Sequence, residues 1–462
     1  MSHKKDNVYN LREAKSKLVN MQVDKITLQD IGLFDSKENI SVASHLNFCK
    51  TNGGKIHFEH FLSHPLASIK DIQNRQDTIA IFIKKKAQLD TMTITNGTSL
   101  VIEKFFESAF AAIPKQAGWI ETYWYTFWNK SDFAVLKYSV EHLVNFILNL
   151  KEWAAIFENE THHSTINEFV EKIKKGTAHT ALAHLQIEVP IKSDAAILQL
   201  GYFFAHQYKT QTKLLLSYFY EIDAYYSMAC AFENYQFSFP EWAEGNQAIF
   251  DVQEASHPLL TNPISNQLSL VNKSNLLFLT GANMAGKSTF IKTTGIVVYL
   301  AHVGMGVPAK KARLSLFDGL ITNLTIADNV VKGESYFFNE VQRIKNTIEK
   351  VIDGKKYFVL IDELFKGTNI QDAMKCSTAV IEGLQHISNS LFIISTHLYE
   401  ISEGLEKYTN IQFRYFETEV HQKELIFHYQ LKEGVSQDRL GYLILEREGV
   451  VDLLDKISKT KY

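Results

Sequence analysis

No part of the chain narrows its possible folds as much as Gly281-Ala282-Asn283-Met284-Ala285-Gly286-Lys287-Ser288-Thr289. The stretch fits G-x-x-x-x-G-K-[ST], directly after the apolar run Leu276–Thr280 and directly before a helical pattern. Strand, tight glycine turn and helix must occur in that order. Only then do the backbone N–H groups of the turn and the helix N-terminus converge on phosphate oxygens. By residue frequencies alone, the bare pattern arises by accident in roughly one chain in fifty of this length. Its flanks make accident rarer still, and a nucleoside triphosphate with magnesium is the expected ligand.

At 462 residues the chain has room for roughly two to four domains, each able to bury a core. Hydrophobic residues make up 45% and charged residues 21%, as in ordinary globular proteins. The longest weakly charged apolar stretch, from Gly295 to Ala309, continues the helix after the phosphate loop and is too short for a membrane span. The N-terminus lacks the apolar core of a signal peptide. Cys49, Cys230 and Cys376 have no metal-like spacing, so buried thiols in a reducing cytoplasm are expected. A net charge of -3 neither requires nor excludes nucleic acid, because a near-neutral protein can focus its lysines on one surface. Lys84-Lys85-Lys86, Lys172 with Lys174-Lys175, and Lys310-Lys311 are the candidate contacts, although solvated helix faces and loops also carry such runs.

Character changes near residue 245. All five tryptophans fall before it, whereas most of the 22 glycines lie at or after it. Residues 119–175 and 202–239 contain neither Gly nor Pro. With Leu143, Phe146, Ile147 and Leu150, or Leu214, Leu215, Tyr218 and Ile222, at helical spacing, they predict long helices. Trp124 and Trp128 share that spacing and are expected in the helical core. The second half alternates strand-like runs (Leu276–Thr280, Tyr357–Ile361, Leu391–Ser395) with amphipathic patterns, the mark of an α/β layer with a largely parallel sheet. A hairpin of Ile411–Val420 with Glu424–Leu431 follows.

Chemistry concentrates in this second half. Lys287 suits the β- and γ-phosphates, and Ser288 can offer its hydroxyl to magnesium. Phe358-Val359-Leu360-Ile361 predicts a buried strand carrying Asp362-Glu363 to its C-terminal end, where open α/β sheets bind ligands. Asp362 is expected near the metal, and Glu363 as the carboxylate that orients or deprotonates water for attack on the γ-phosphate. Leu391–Thr396 ends in His397 at the same edge, placed for the γ-phosphate or the attacking water. An amphipathic helix with Phe337, Val341, Ile344, Ile348 and Val351 on one face follows Ser335, its expected N-cap.

Taken together, these residues resemble the MutS family of DNA mismatch-repair ATPases. Gly281–Thr289 resembles the family's G-P-N-M-G-G-K-S-T, and Gly333-Glu334-Ser335 with Phe337 and Glu340 resembles its G-x-S-x-F-x-x-E. Asp362-Glu363, Gly367-Thr368 and Asp372 resemble D-E-x-x-x-G-T-x-x-x-D, and Ser395-Thr396-His397 resembles the strand ending in T-H. His257-Pro258 is similar to the opening of the family's ATPase domain; Gly53-Gly54-Lys55, Leu62, Pro65-Leu66, Ile72 and Arg75 resemble the start of its helical core and lever domain. The resemblance implies a loosely ordered arm over residues 1–30 and a mainly α-helical core and lever domain over 31–247. An α/β P-loop ATPase domain of the ABC type would follow over 248–462. It implies ATP and Mg2+ as ligands, and a homodimer in which Ser335 of one subunit approaches the nucleotide of the other. DNA is the implied partner, with no membrane.

Departures from the pattern shape the functional expectation. Mismatch-reading and connector domains would precede residue 30, so a short form without them is expected, with a reduced C-terminal extension after Leu440-Gly441-Tyr442 and no nuclease-like Smr domain. Ala282 and Ala285 replace a proline and a glycine, and Pro263-Ile264 stands where relatives stack an aromatic on adenine. The leading reading is a magnesium-dependent ATPase that recognises branched or otherwise distorted DNA. Competing readings are a ribosome- or RNA-directed ATPase of the same family and a nucleotide-timed scaffold for a partner such as a repair protein.

Overall fold

In the computed structural model of the chain, residues 20–34, 40–91, 93–160, 162–185, 191, 193–324, 336–421, 424–436 and 445–459 are described. Two short helices, α1 (Lys25–Asp30) and α2 (Val42–His45), come first. Longer ones follow: α3 (Asn52–Ser63), α4 (Ile69–Leu89), α5 (Asn96–Glu107), α6 (Trp119–Trp128), α7 (Lys130–Ile156), α8 (Ser164–Thr177), α9 (Asp194–Tyr202) and α10 (Lys209–Asn234). The chain divides into two compact units. The first holds Leu46–Ser63 and Asn74–Asn234, and the second holds His64–Gln73 and everything from Tyr235, together with the segment around α1 and α2.

The first unit is all helix. Its core gathers Phe82, Trp153, Phe157, Phe169 and Tyr225, whose rings lie at tilted or edge-on angles that favour the aromatic quadrupoles. Leu143, Phe146, Ile147 and Leu150 of α7 are fully buried, as their spacing predicts. On α10 Leu215 and Ile222 turn inward while Leu214 is exposed. Helices α3 and α10 touch closely enough to require glycine. A Cβ at Gly53 would lie 2.3 Å from the Tyr220 ring, and one at Gly54 would lie 2.1 Å from Asp223 Oδ2. Asp223 is buried and accepts from the Lys50 and Thr51 N–H groups and from the Thr51 hydroxyl, tying the start of α3 to α10.

One sequence expectation fails here. Trp124 and Trp128 are not core: both are exposed, with Trp119, Tyr123 and Phe127 beside them. Periodicity alone would turn the aromatic half of α6 inward; in the structure that half faces solvent. Tyr125 is the aromatic that turns inward, its hydroxyl donating to the Ala111 carbonyl.

The second unit is α/β. Strands β1 (Glu241–Trp242), β2 (Ile249–Ala255), β3 (Asn266–Val271) and, later in the chain, β5 (Lys311–Leu314) form a four-stranded sheet in the order β1-β5-β2-β3. A six-stranded sheet is built from β4 (Leu276–Gly281), β6 (Gly319–Asn323), β7 (Tyr357–Asp362), β8 (Leu391–Ser395), β9 (Ile411–His421) and β10 (Glu424–Glu433). Its order is β10-β9-β4-β8-β7-β6, parallel throughout except for the antiparallel edge strand β10. Helices α11 (Lys287–Val303), α12 (Tyr336–Val351), α13 (Ile370–Leu384), α14 (Ser402–Leu405) and α15 (Val450–Lys459) complete the unit. Phe278, Val359, Phe392 and Ile394 are fully buried in its core. Each such side chain contributes about 1.5–3 kcal/mol through burial, which is why the central strands read as uninterrupted apolar runs.

Two contacts tie the early segment to this sheet. Asp30 Oδ2 of α1 accepts from the Thr322 hydroxyl and the Leu324 N–H beside β6. His302, fully buried in the last turn of α11, has Nδ1 2.9 Å from the Leu66 carbonyl, and its Nε2 accepts from the Phe317 N–H. Burial pushes this imidazole down to about 4, against the opposing pull of the Leu66 carbonyl. Among the described residues no helix is long and apolar enough to cross a membrane.

Candidate functional site

Parallel pairing places three loops at one edge of the six-stranded sheet. Leu279 on β4 and Asp362 on β7 both lie opposite Ser395 on β8, so the C-terminal ends of these strands stand level. From that edge issue the glycine loop after β4, the Asp362-Glu363 pair after β7, and Thr396-His397 after β8. It is the position where open α/β sheets hold ligands.

The glycine loop turns as the sequence requires. Gly281 and Gly286 lie at φ 140° and 107°, a region open to glycine, and Gly286 caps α11. Neither Ala282 nor Ala285 has positive φ, so both alanines are accommodated; Met284 is the loop residue in the left-handed region, at φ 68°. Asn283 and Met284 are exposed, Ser288 is exposed and Thr289 half-buried in the first turn of α11, and Ala282 and Ala285 are buried. Lys287 is buried and its Nζ donates to the carbonyls of Gly281 at 2.7 Å and Ala282 at 2.9 Å. Burial lowers its pKa, opposed by the carboxylates of Glu363 and Asp362.

Asp362 is the hub of a short hydrogen-bonded chain. Ser288 Oγ donates to Asp362 Oδ2 at 2.6 Å, and the Ser395 hydroxyl donates to Oδ1. A hydroxyl and a carboxylate at this separation are hard oxygen donors of the kind magnesium takes. Glu363 sits next to them with φ 55°, a conformation costing a non-glycine residue about 1–3 kcal/mol. Its N–H is held by the Ser395 carbonyl at 3.1 Å. His397 Nε2 lies 2.6 Å from Glu363 Oε1, and Lys366 Nζ pairs with Oε2. Burial raises the Glu363 carboxyl, but the hydrogen bonds and charges of His397 and Lys366 outweigh it and hold it down at about 2. Glu363 is therefore an anion at neutral pH.

Support comes from α12. Glu340, buried, accepts from the N–H groups of Lys366 and Gly367, both at 3.1 Å, and so fixes the loop that follows Glu363. Ile344 and Val351 are also buried on α12, whereas Val341 lies at its exposed margin, so Glu340 takes the inward place expected for Val341. Asn369 caps α13 by accepting from the Asp372 N–H, and its side-chain amide donates to the Asp372 carboxylate at 2.6 Å, which accounts for the aspartate at that spacing. Ser335 lies outside the described residues, as do Gly333, Glu334 and Leu440-Gly441-Tyr442.

A cavity of about 520 Å³ opens in front of Lys287, Ser288 and Glu363, a volume typical of small-molecule sites. Pro263, Ile264, Phe290, Phe416 and Tyr429 also line it. Sequence reasoning found Pro263-Ile264 but missed the two aromatic residues contributed by the hairpin. Tyr429, at φ 54°, sits where the β9–β10 register shifts, and its ring lies 3.2 Å from where a Gly286 Cβ would be. Lys366 was missed as well, because nothing in its sequence context separates it from an ordinary surface lysine.

The candidate nucleic-acid lysines tell a plainer story. Lys85 pairs with Glu160, Lys86 with Asp90, Lys172 with Glu168, Lys174 with Glu158, and Lys310 with Glu254. They read as solvated ion pairs more than as an open cationic stripe. Of the cysteines, Cys230 is buried while Cys49 and Cys376 are half-buried; all three are free thiols.

Residues 277–455 match the family model described as MutS domain V. The DNA mismatch repair protein MutS of Bacillus licheniformis is 29% identical over 246 residues, covering 52% of this chain and 28% of the relative. Its counterpart from Bacillus subtilis is 30% identical over 241 residues, 51% of this chain and 28% of the relative. That from Aquifex pyrophilus is 28% identical over 224 residues, 48% and 26% respectively. The matched stretch thus spans little more than a quarter of each relative. The glycine loop, the Asp362-Glu363 pair and the strand ending in His397 all fall inside the matched stretch, and over residues 277–455 the chain carries a MutS domain V.

Proposed function

We propose that the chain is a magnesium-dependent ATPase of the P-loop class. The observation that carries this reading is the meeting of Lys287, the Ser288–Asp362 pair and the Glu363–His397 pair at the mouth of one cavity. The triphosphate would take the place of the Gly281 and Ala282 carbonyls on the Lys287 ammonium, with the N–H groups of Gly281–Thr289 around it. Magnesium, held through Ser288 and Asp362, would neutralise phosphate charge. Glu363, ionised and fixed by His397, would orient the attacking water. A carboxylate with so low a pKa is a weak base, so its work is positioning and charge more than early proton removal. The nucleobase would lie against Tyr429, Phe416 and Pro263.

On the side of output, we propose an ATP-linked clasp between two copies of this domain, coupled to DNA bound through the helical unit. The relatives' names motivate DNA, and branched or distorted structures are favoured over simple mismatches. An electrophoretic series with homoduplex, mismatched, branched and single-stranded DNA, run with ATP and with ADP, tests it. Tighter, nucleotide-dependent binding to the branched duplex is the expected result. Equal, weak and nucleotide-independent binding to every substrate would remove DNA from the proposal and leave the ATPase reading standing.

A further inference from the structure

Helix α6 presents an aromatic face to solvent. Trp119 is 83% exposed and Trp128 70%, with Ile120, Tyr123, Trp124 and Phe127 completing the face. At 3.6 residues per turn these six side chains cover about half of the helix circumference without a gap. The rings are ordered against one another: Trp124 and Trp128 lie parallel with centroids 6.3 Å apart, and Tyr123 and Phe127 stack beside them at 6.0 Å. The opposite face is anchored. Tyr125 donates to the Ala111 carbonyl, and the Thr122 and Thr126 hydroxyls bond back to the Gly118 and Thr122 carbonyls.

From the usual size of aromatic side chains, the exposed parts of this face amount to roughly 700 Å². A monomer rarely leaves so large an apolar patch in water, and about 800 Å² per partner is what a stable dimer buries. Charge narrows the occupant further. Within α6 the single charged residue is Glu121, and the next is Lys130, whose ammonium stands over the Phe127 ring at 5.7 Å. Nucleic acid or an anionic bilayer needs a surplus of cations around such a face, and here one acid balances one base. Glu121 lies in the first turn of α6 and Lys130 opens α7 just past its other end, a placement that suits a two-fold arrangement. Antiparallel pairing of α6 with itself brings Tyr123 level with Trp128 and Trp124 level with Phe127, and sets Glu121 near the end where Lys130 of the second copy opens α7. Parallel pairing would set like charge on like.

We propose that this face is an isologous interface with a second copy of the chain, formed through antiparallel α6 helices and independent of nucleotide. It does not rest on the ATPase reading. Sedimentation equilibrium of the full chain without nucleotide tests it, and a concentration-dependent dimer is expected. Trp124→Ser with Trp128→Ser should weaken association by about 30-fold or more with an unchanged circular dichroism spectrum. Glu121→Lys alone should weaken it, and Glu121→Lys combined with Lys130→Glu should restore it, because the swap rebuilds the antiparallel pairs; this pair of variants leaves the rings in place. A chain that stays monomeric at high concentration, or self-association unaffected by the tryptophan variants, overturns the proposal. So does tryptophan-dependent capture by poly-dT or by neutral phosphatidylcholine vesicles without self-association. Failure of the double charge swap to restore association overturns the antiparallel register.

Discussion

Both units bury polar side chains, but they spend them differently. In the helical unit Asp223 gives its carboxylate to the Lys50 and Thr51 N–H groups and the Thr51 hydroxyl, all inside the packing of α3 against α10. At the sheet edge Lys287, Asp362 and Glu363 are equally hydrogen-bonded, yet Lys287 and Glu363 border a cavity and Asp362 holds Ser288, which borders it too. The first arrangement fixes a helix pairing and offers no chemistry. The second holds opposite charges close together in a partly dehydrated place, which favours binding a charged ligand. A buried polar group is informative about function through what it faces, and burial by itself does not distinguish the two cases.

The contrast predicts separable failures. Glu363→Gln should lower ATP turnover about 100- to 10,000-fold while nucleotide affinity stays within a few fold, read by single-turnover hydrolysis alongside a filter-binding assay. Retained turnover would dismiss Glu363 from the chemistry. Lys287→Ala should weaken ATP binding on the order of 100-fold, the worth of its charged hydrogen bonds, with little change in the unfolding midpoint. Asp223→Ala should do the reverse. Leaving two N–H groups and a hydroxyl without their acceptor costs about 2–3 kcal/mol in a urea unfolding experiment, and ATP affinity of the folded protein should not move. Were Asp223→Ala to abolish nucleotide binding in folded protein, the division of labour would be wrong.

Acid gives the smallest effect and the sharpest sign. The Glu363 carboxyl ordinarily titrates at 4.5 and is held at about 2 in the fold. A depressed value means its contribution to stability is complete above 4.5 and fades as pH falls towards 2. Stability measured across that window should fall more steeply with acid in the parent chain than in Glu363→Gln; equal slopes would mean that His397 and Lys366 do not hold the carboxylate.

Much of the second unit was legible because its signals are local. A glycine loop between an apolar run and a helix, or four apolar residues ahead of Asp362-Glu363, can be recognised within about ten residues of sequence. The resemblance extended this to Glu340, Gly367 and Asp372, which the structure connects through one loop and one helix cap. What stayed illegible depends on distant packing. Tyr429 reaches the loop through a register shift in a hairpin, and Ser395 meets Asp362 because two strands lie side by side. The exposure of Trp124 and Trp128 was hidden for another reason: an apolar helical period marks one half of a helix whether that half meets a core or water, and orientation is set by the neighbour that accepts Tyr125.

His302 joins two stretches of backbone, at Leu66 and Phe317. Because the Phe317 N–H can only donate, Nε2 must carry a lone pair, so the hydrogen resides on Nδ1 and points to Leu66. The ring is thus confined to a single tautomer with a distinctive nitrogen chemical shift. That makes it a built-in spectroscopic reporter at the end of α11, able to register during turnover whether movement of the glycine loop travels down the helix.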